Sequence, residues 1–517
     1  MNMWIATKRQ MNEFDRFVID ELGLPGTVLM ENAGEAVVRA IVKRFDDRQT
    51  AITIVASNGN NGGDGFVIAR KLLSIGFHPT VLFFGTWERL TGDAAVHAEA
   101  FRVFGGHVIE RPAFDRMCDV IDSSDVIVDA LLGTGYTGPL REPFPSIIAR
   151  INTSRAYVYA VDLPSGVEAS TGRVVTDAVR ADETITFIAP KCGFFLEDGP
   201  RFIGKWTVDR IGVPFSVDAT VIKRAPYLFT EREAIDRLPK RPADGHKGTF
   251  GHVLTLGGSH SYVGAPLFSA KMAMHSGAGL VTLATPTSIY EKVAASLPEV
   301  LFLPLPEREG HMTEEAIPLI ESVIDGADVL AVGPGFGLFE EGSAIIRQLL
   351  DVTSGQPIVF DADALTLLVD SLDALRAYRG DVIVTPHPGE MARLLQTDVP
   401  TIESDRLGAA YTLATTYRIH VVLKGHRTIV TSPSGDQSII PYGTDALGKG
   451  GSGDVLTGLI ASFLAQGIST QDALRIAVVL HARSGERASE TLSSYGVTPL
   501  SLIDAIPRLL RQWQTES

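Results

Sequence analysis

"GTDALGKGGSGDVLTG" (443–458) sets a glycine-rich turn in front of an apolar run, with Asp454 where that run begins. Such a turn, feeding a helix N-terminus, offers unpaired backbone N–H groups and the positive end of the helix dipole to an anion. A P-loop carries a lysine and a hydroxyl directly after its last glycine, whereas here Gly453 is followed by Asp454. A carboxylate beside phosphate is repelled unless it takes a proton from an acceptor hydroxyl. The stretch looks like a phosphate cradle with an acid at its edge, and it raises the question of which hydroxyl Asp454 would activate if phosphoryl groups are transferred there. Val455, Leu459 and Phe463, with Leu456, Ile460 and Leu464, repeat at helical spacing and predict a final helix packed on a sheet.

Upstream, the same half alternates apolar strands with helices. The strands are "GHVLTLGGS" (251–259), "GLVTLATP" (279–286), "DVLAVGPG" (328–335), "PIVFDADAL" (357–365), "DVIVTPHPGE" (381–390) and "HVVLKG" (420–425). A similar rhythm fills the N-terminal half, in "AITIVAS" (51–57), "PTVLFFG" (79–85), "DVIVDALLG" (125–133), "AYVYAVDLPSG" (156–166) and "ETITFIAP" (183–190). Continuous apolar strands alternating with helices predict parallel sheets covered on both faces, with ligands beyond the strand C-termini. Between the halves, residues 219–244 are proline-bearing and charged, as a linker is. The expected division is 1–218, linker 219–244, and 245–517. The halves share no period or motif order, so no internal duplication is expected.

Composition narrows the class. The chain has 517 residues, 45% apolar and 21% charged, which fits a globular protein of more than one domain. A net charge of −15 argues against a generic nucleic-acid or anionic-membrane binder. Cys118 and Cys192 are too few for a disulfide framework. No apolar run is long enough to span a bilayer, and the first residues have no apolar signal core. A cytoplasmic location is expected.

Taken singly, each motif has a plain structural reading. The glycines of "GPGFG" (333–337) serve as turn residues, His387 as a satisfied loop histidine, and Asp454 as a helix N-cap. In combination, "GSHSYVGAPLFSAKMAMHSGAGLV" (258–281), "GPGFG", "TPHPGE" (385–390) and "GTDALGKGGSGD" resemble the ribokinase-like superfamily over about 245–505. Within it they are similar to the ADP/ATP-dependent NAD(P)H-hydrate dehydratase branch. That resemblance implies a nucleotide along "KGHRT" (Lys424, Gly425, His426, Arg427 and Thr428), on its adenine and ribose side, with Gly453 in the anion hole. It implies Ala265, Gly335, His387 and Asp454 around the hydrated nicotinamide, and Mg²⁺ bridging the phosphates of ADP or ATP. Asp454 would accept the proton of the C6 hydroxyl as that oxygen attacks the terminal phosphoryl group. Phosphate then leaves from the carbon beside the enamine-type nitrogen, and the net result is dehydration.

In the N-terminal half, "NGNNGGDG" (58–65) follows a strand and precedes a helix, yet it is not the GxGxxG fingerprint. With "DALLGTGYTGP", "VDLPSGV" and "APKCG" (189–193) it resembles the NAD(P)H-hydrate epimerase domain over roughly 10–215. The resemblance implies a Rossmann-like parallel sheet sandwich. Its substrate cradle would be Asn60, Asn61, Gly62, Gly63 and Asp64, with Gly133, Thr134, Gly135, Tyr136, Thr137, Gly138 and Pro139. Asp162 would serve as acid and base at C6 and Lys191 as its helper, with K⁺ held by Asn61, Asp129 and Ser165. Asp129 and Asp162 also read as strand-end caps, although a buried strand ending in Asp is costly unless paired or metal-bound.

The expected protein is a bifunctional repair enzyme acting on the hydrates of NADH and NADPH, assembled as a tetramer or larger homo-oligomer. The competing reading is a vitamin or sugar kinase fused to a non-catalytic dimerisation domain. A kinase would release a stable phosphoester, whereas a dehydratase releases inorganic phosphate and a species absorbing like NADH.

Overall fold

The computed structural model describes residues 3–218 and 225–516, and the chain divides into two compact units meeting at Pro226 and Tyr227. Residues 219–224 of the expected linker lie outside the described residues. The remainder is no linker: Tyr227–Leu228 is a strand and Glu231–Arg237 a helix, capped by Thr230, and both belong to the second unit.

In the first unit the strands are β1 (Ile52–Ala56), β2 (Thr80–Phe83), β3 (His107–Glu110), β4 (Val126–Ala130), β5 (Tyr157–Val161), β6 (Glu183–Phe187) and β7 (Lys205–Asp209). They form a seven-stranded sheet in the order β3-β2-β1-β4-β5-β6-β7, and every neighbouring pair is parallel. Strands buried on both faces need apolar residues at every position. Ile54, Ala56, Val128 and Ala130 join one core cluster, while Val55, Ile127 and Leu131 join another. The sequence reading missed β3 and β7, whose residues are partly solvated and carry charge.

The second unit begins with β8 (Tyr227–Leu228), followed by β9 (His252–Leu256), β10 (Leu280–Pro286), β11 (Leu301–Leu305) and β12 (Val329–Val332). Next come β13 (Ile358–Phe360), β14 (Val382–Val384), β15 (His420–Leu423), β16 (Ile429–Thr431) and β17 (Gln437–Ile439). Their order is β8-β17-β16-β15-β14-β13-β12-β9-β10-β11. Pairing is parallel from β15 through β11, and antiparallel where β16 joins β15 and β17. That antiparallel edge, like β11, was not expected from the sequence.

The helix Ser452–Ala465 forms where the glycine turn ends, at Gly451 with φ +94°. It is not final: helices at Thr470–Gly496 and Pro499–Glu516 follow. The expected apolar stripe is buried, and the helix is buried almost all round, because small residues let a second helix, Gly264–His275, press against it. A Cβ on Gly458 would stand 2.1 Å from the carbonyl oxygen of Ser269. This close approach fixes the depth at which Asp454 and Ala265 enter the site.

Candidate functional site

Both sites lie where an open parallel sheet presents its strand C-termini. In the first unit, a cavity of about 590 Å³ is walled by the residues after β1, β4, β5 and β6 and by flanking helices. Asn60, Asn61, Asp64, Gly133, Thr134, Gly135, Tyr136, Asp162 and Lys191 line it. Gly62, Gly63, Thr137, Gly138 and Pro139 do not. The two helical glycines serve packing instead: a Cβ on Gly62 would stand 1.8 Å from the Ser57 carbonyl oxygen, and one on Gly63 would stand 2.9 Å from Ala94 Cα. The helix begins at Asn60, so the expected loop residues 60–64 are its first turns, and only Asn58 and Gly59 precede it.

Asp162 directly follows β5 at φ +66°, a backbone state that a non-glycine residue holds only when its surroundings impose it. Its Oδ1 accepts from Thr186 Oγ1 at 3.0 Å and from the Phe187 N–H at 3.1 Å, and it is ion-paired with Lys191. Lys191 is fully buried and also donates to Thr186 Oγ1 at 3.0 Å and to the Phe187 carbonyl at 3.1 Å. A buried ammonium in this geometry is a fixed partner for the carboxylate.

Asp129 departs from expectation in its position. It does not reach the cavity mouth but is fully buried behind the wall, and neither it nor Ser165 lines the cavity. Its carboxylate accepts from Ser165 N–H at 2.8 Å, Ser165 Oγ at 2.6 Å and Leu131 N–H at 3.2 Å. Burial pushes it up to about 6, against these donors, and no ion pair reaches it among the described residues. Asn61 stands nearby on the same loop system, donating through Nδ2 to the Leu132 carbonyl at 2.8 Å, while the Leu132 N–H donates to Ser165 Oγ at 2.9 Å.

The second unit gathers its charges around Asp361, which directly follows β13 and is almost fully buried. Lys424, just after β15, donates to Asp361 Oδ1 at 2.7 Å. Thr385, just after β14, donates to the same oxygen at 2.7 Å, and Thr457 of the Asp454 helix donates to Oδ2 at 2.6 Å. Burial alone would raise Asp361, but the Lys424 charge and these hydroxyls hold it below the ordinary carboxylate range. Burial likewise opposes the charge of Lys424, and Asp361 and Glu390 outweigh it, holding the ammonium above its ordinary value. A Cβ on Gly453 would stand 3.4 Å from Lys424 Nζ and 3.7 Å from Asp361 Oδ2, so backbone and charge meet there closely. Asp454 beside them is pushed up to about 7, first by burial and then by the Asp361 charge, with Lys424 partly offsetting.

The other expected residues fall around this centre. His387 caps the short helix Pro388–Leu394: its Nδ1 accepts from the Gly389 N–H at 3.0 Å, and the Glu390 carboxylate accepts from the His387 N–H at 2.8 Å. Burial, then the Lys424 charge, lowers its pKa, so the ring is held neutral with Nε2 carrying the proton. Gly335 has φ +65°, and a Cβ there would stand 3.1 Å from the Ala265 Cβ and 2.7 Å from the Tyr262 carbonyl, which brings the two expected substrate contacts together. The stretch 424–428 is split. Lys424 sits in the charged centre beside Asp361, and Arg427 turns its guanidinium to the Pro441 carbonyl. Arg406 donates to the His426 carbonyl at 2.7 Å.

Asp361, Glu390, Thr385 and Thr457 were not singled out from the sequence. Asp361 carries the signal that found Asp129, an apolar strand ending in Asp. Asp15, on the helix Lys8–Arg16, also lines the first cavity and had no such signal.

Two α/β units, each with a titratable carboxylate drawn toward neutrality beside a buried lysine–aspartate pair at its strand ends, define a two-site enzyme. Comparison with known proteins gives its family. Residues 26–193 match the model described as YjeF-related protein N-terminus, and residues 253–508 match NAD(P)H-hydrate dehydratase. The bifunctional NAD(P)H-hydrate repair enzyme Nnr of Moorella thermoacetica is 36% identical, with 99% of this chain and 98% of that protein covered. That of Coxiella burnetii is 35% identical, with 96% of each covered. Among solved structures, the ADP/ATP-dependent NAD(P)H-hydrate dehydratase of Bacillus subtilis, co-crystallised with ATP and Mg²⁺, is 31% identical; 56% of this chain and 98% of that one are covered, with a TM-score of 0.48. The chain belongs to the family of bifunctional NAD(P)H-hydrate repair enzymes.

Proposed function

We propose that the chain repairs hydrated NADH and NADPH at two sites. The first unit interconverts the R and S hydrates, and the second dehydrates the S form at the expense of ADP or ATP, releasing phosphate. The observation that carries this reading is Asp454: a carboxyl raised to about 7, at the start of a helix and beside the Lys424–Asp361 pair. Near full-length similarity to repair enzymes favours it over a vitamin or sugar kinase with a fused scaffold.

In the dehydration, the C6 hydroxyl oxygen attacks the terminal phosphoryl group while Asp454 takes its proton. The N–H groups of the glycine turn around Gly453 and the Lys424 ammonium face the charge that develops. The nitrogen lone pair then expels phosphate from C6, and loss of a proton from C5 restores the C5–C6 double bond of NAD(P)H. His387, a neutral donor, with Ala265 and Gly335 orients the ring. Mg²⁺ enters with the nucleotide and screens phosphate charge.

In the epimerisation, the Asp162 carboxylate, held by Lys191 and Thr186, moves a proton at the C6 oxygen. Asn60, Asn61, Asp64 and the loop Gly133–Tyr136 line the cavity that receives the dinucleotide. The buried, uncompensated Asp129 carboxylate fits a monovalent cation. Asn61, Asp129 and Ser165 supply hard oxygen donors with no thiolate or imidazole, and no cluster suited to a transition metal occurs among the described residues. K⁺ held there would supply the counter-charge that lets Asp129 stay ionised.

No helix among the described residues is long and apolar enough to cross a membrane. Our reading includes a cytoplasmic location, small-molecule partners only, and a homo-oligomer of four or more chains, measurable by light scattering. The deciding experiment incubates mixed R and S hydrates with ADP or ATP and follows recovery of the reduced-nicotinamide absorbance. Complete recovery with release of inorganic phosphate is expected; accumulation of a stable phosphoester overturns the reading in favour of a kinase.

A further inference from the structure

The first cavity holds more acid than the Asp162–Lys191 pair accounts for. Asp15 lines it from the helix Lys8–Arg16 and Asp64 from the helix Asn60–Ser74. Asp64 is only 9% exposed, and among the described residues no hydrogen bond or ion pair reaches its carboxyl, which leaves it turned to the cavity without a protein partner. Asp93 and Tyr136 complete the titratable groups around the cavity, and Lys191 is the one cation lining it among the described residues. A single ammonium cannot balance so many carboxylates in a walled space, so some of them hold protons.

Inverting C6 sets a geometric demand. Oxygen leaves one face of the ring and returns on the other, and a single fixed carboxylate cannot serve both. The Asp162–Lys191 pair comes from the strand ends, whereas Asp15 comes from the helical wall. Asp64 is buried whereas Asp15 is exposed, so Asp15 can exchange its proton with solvent between turnovers.

We propose that Asp15 is the second proton carrier of the epimerisation, meeting the C6 oxygen from the helical wall while Asp162 meets it from the strand ends. This rests on the reading of the first unit as the epimerase. In one direction, the Asp15 carboxylic acid protonates the departing hydroxyl. The C6–O bond breaks, water leaves, and the ring-nitrogen lone pair closes a nitrogen–C6 double bond. Water then adds to the opposite face and gives its proton to the Asp162 carboxylate. The reverse direction exchanges the two roles, and solvent resets the protons. Desolvation raises Asp15 to about 6, with the Lys191 charge lowering and the Asp162 charge raising it, so both protonation states are accessible near neutrality. Asp64 is likewise pushed well above its ordinary value by burial and by the charges of Asp162 and Asp15.

The test uses the full chain with ADP and separately prepared R and S hydrates. Asp15→Asn should lower kcat for R-hydrate turnover by about a hundredfold with KM little changed, and leave S-hydrate dehydration as in the wild type. Asp15→Ala should lose the same activity and regain about tenfold or more with added formate, a rescue that a purely structural residue does not give. R-hydrate turnover within about threefold of wild type in Asp15→Asn, or an Asp15→Ala variant that folds with an unchanged melting temperature yet shows no response to formate, overturns the proposal. Failure of the wild-type chain to convert R hydrate while it dehydrates S hydrate overturns the epimerase reading itself.

Discussion

Lys424 Nζ lies 2.7 Å from Asp361 Oδ1, and this bond joins the ends of two parallel strands, β15 and β13, under the residues that meet at Gly453. It keeps a negative charge in the interior close enough to Asp454 to help raise that carboxyl to about 7. The same pair that stabilises the centre therefore tunes the base.

Removing one partner should expose the cost. Lys424→Met leaves Asp361 buried without a cation, and a loss of about 3–5 kcal/mol in the unfolding free energy of the second unit is expected in urea titrations. Lys424→Met combined with Asp361→Asn should recover much of it. Because Asp361 is held below its ordinary value, its contribution is present above the unfolded carboxylate pKa and is lost as pH falls through the folded one. Lys424→Met should flatten that acid-side dependence; a stability unchanged by Lys424→Met contradicts the pairing.

Asp454 must be ionised to accept a proton. With its carboxyl at about 7, kcat/KM for dehydration of S hydrate should rise with pH to a plateau, with half of the rise near pH 7. Asp454→Asn keeps the shape but cannot take the proton, so a loss of about a hundredfold or more is expected with nucleotide affinity largely retained. Turnover near wild type in that variant removes Asp454 from the role of base.

Separate sites should fail separately. Asp162→Asn retains an acceptor for Thr186 Oγ1 and Lys191 but not the carboxylate, and R-hydrate conversion should drop by about a hundredfold. Dehydration of pure S hydrate should be untouched. If both activities fall while the melting curve is unchanged, the two-site division is wrong.

Asp129 gives a test that needs no substrate. Its carboxyl is raised to about 6, so without a cation the ionised form costs the fold stability: the cost is absent at low pH, builds between the unfolded value near 4 and about 6, and is on the order of 3 kcal/mol above that. Added K⁺ should raise the melting temperature of the wild type at pH 8 and do little at pH 4. Asp129→Asn should be more stable than wild type in the absence of K⁺ and indifferent to it. A wild type whose melting temperature is the same in K⁺ and in a bulky organic cation contradicts the ion site.

Much of this molecule was legible in one dimension. Strands such as Val329–Val332 and Val382–Val384 are continuous apolar runs because a parallel sheet buries both faces, and that pattern needs no partner to be read. The turn at Gly451, the helix after it and Asp454 at its first turn follow from local chemistry alone. Asp162 and Lys191 became candidates through the resemblance to the epimerase domain, not through local chemistry alone.

Tertiary structure decided the rest, because the remaining features depend on distance through space. Strands His107–Glu110 and Lys205–Asp209 carry partly solvated, charged residues and are strands only because a sheet edge pairs with them. Gly62 and Gly63, which resemble a phosphate cradle in sequence, are spent on backbone approaches to Ser57 and Ala94. Asp361 reaches Lys424, Thr385 and Thr457 across gaps of 63, 24 and 96 residues. Asp15 enters the first cavity from a helix whose sequence shows only amphipathic spacing. Sequence names the groups able to carry charge and protons. Which of them lose water, and which stand beside one another once they have lost it, is set by the packing of elements distant in the chain, and that sets their pKa values and their chemistry.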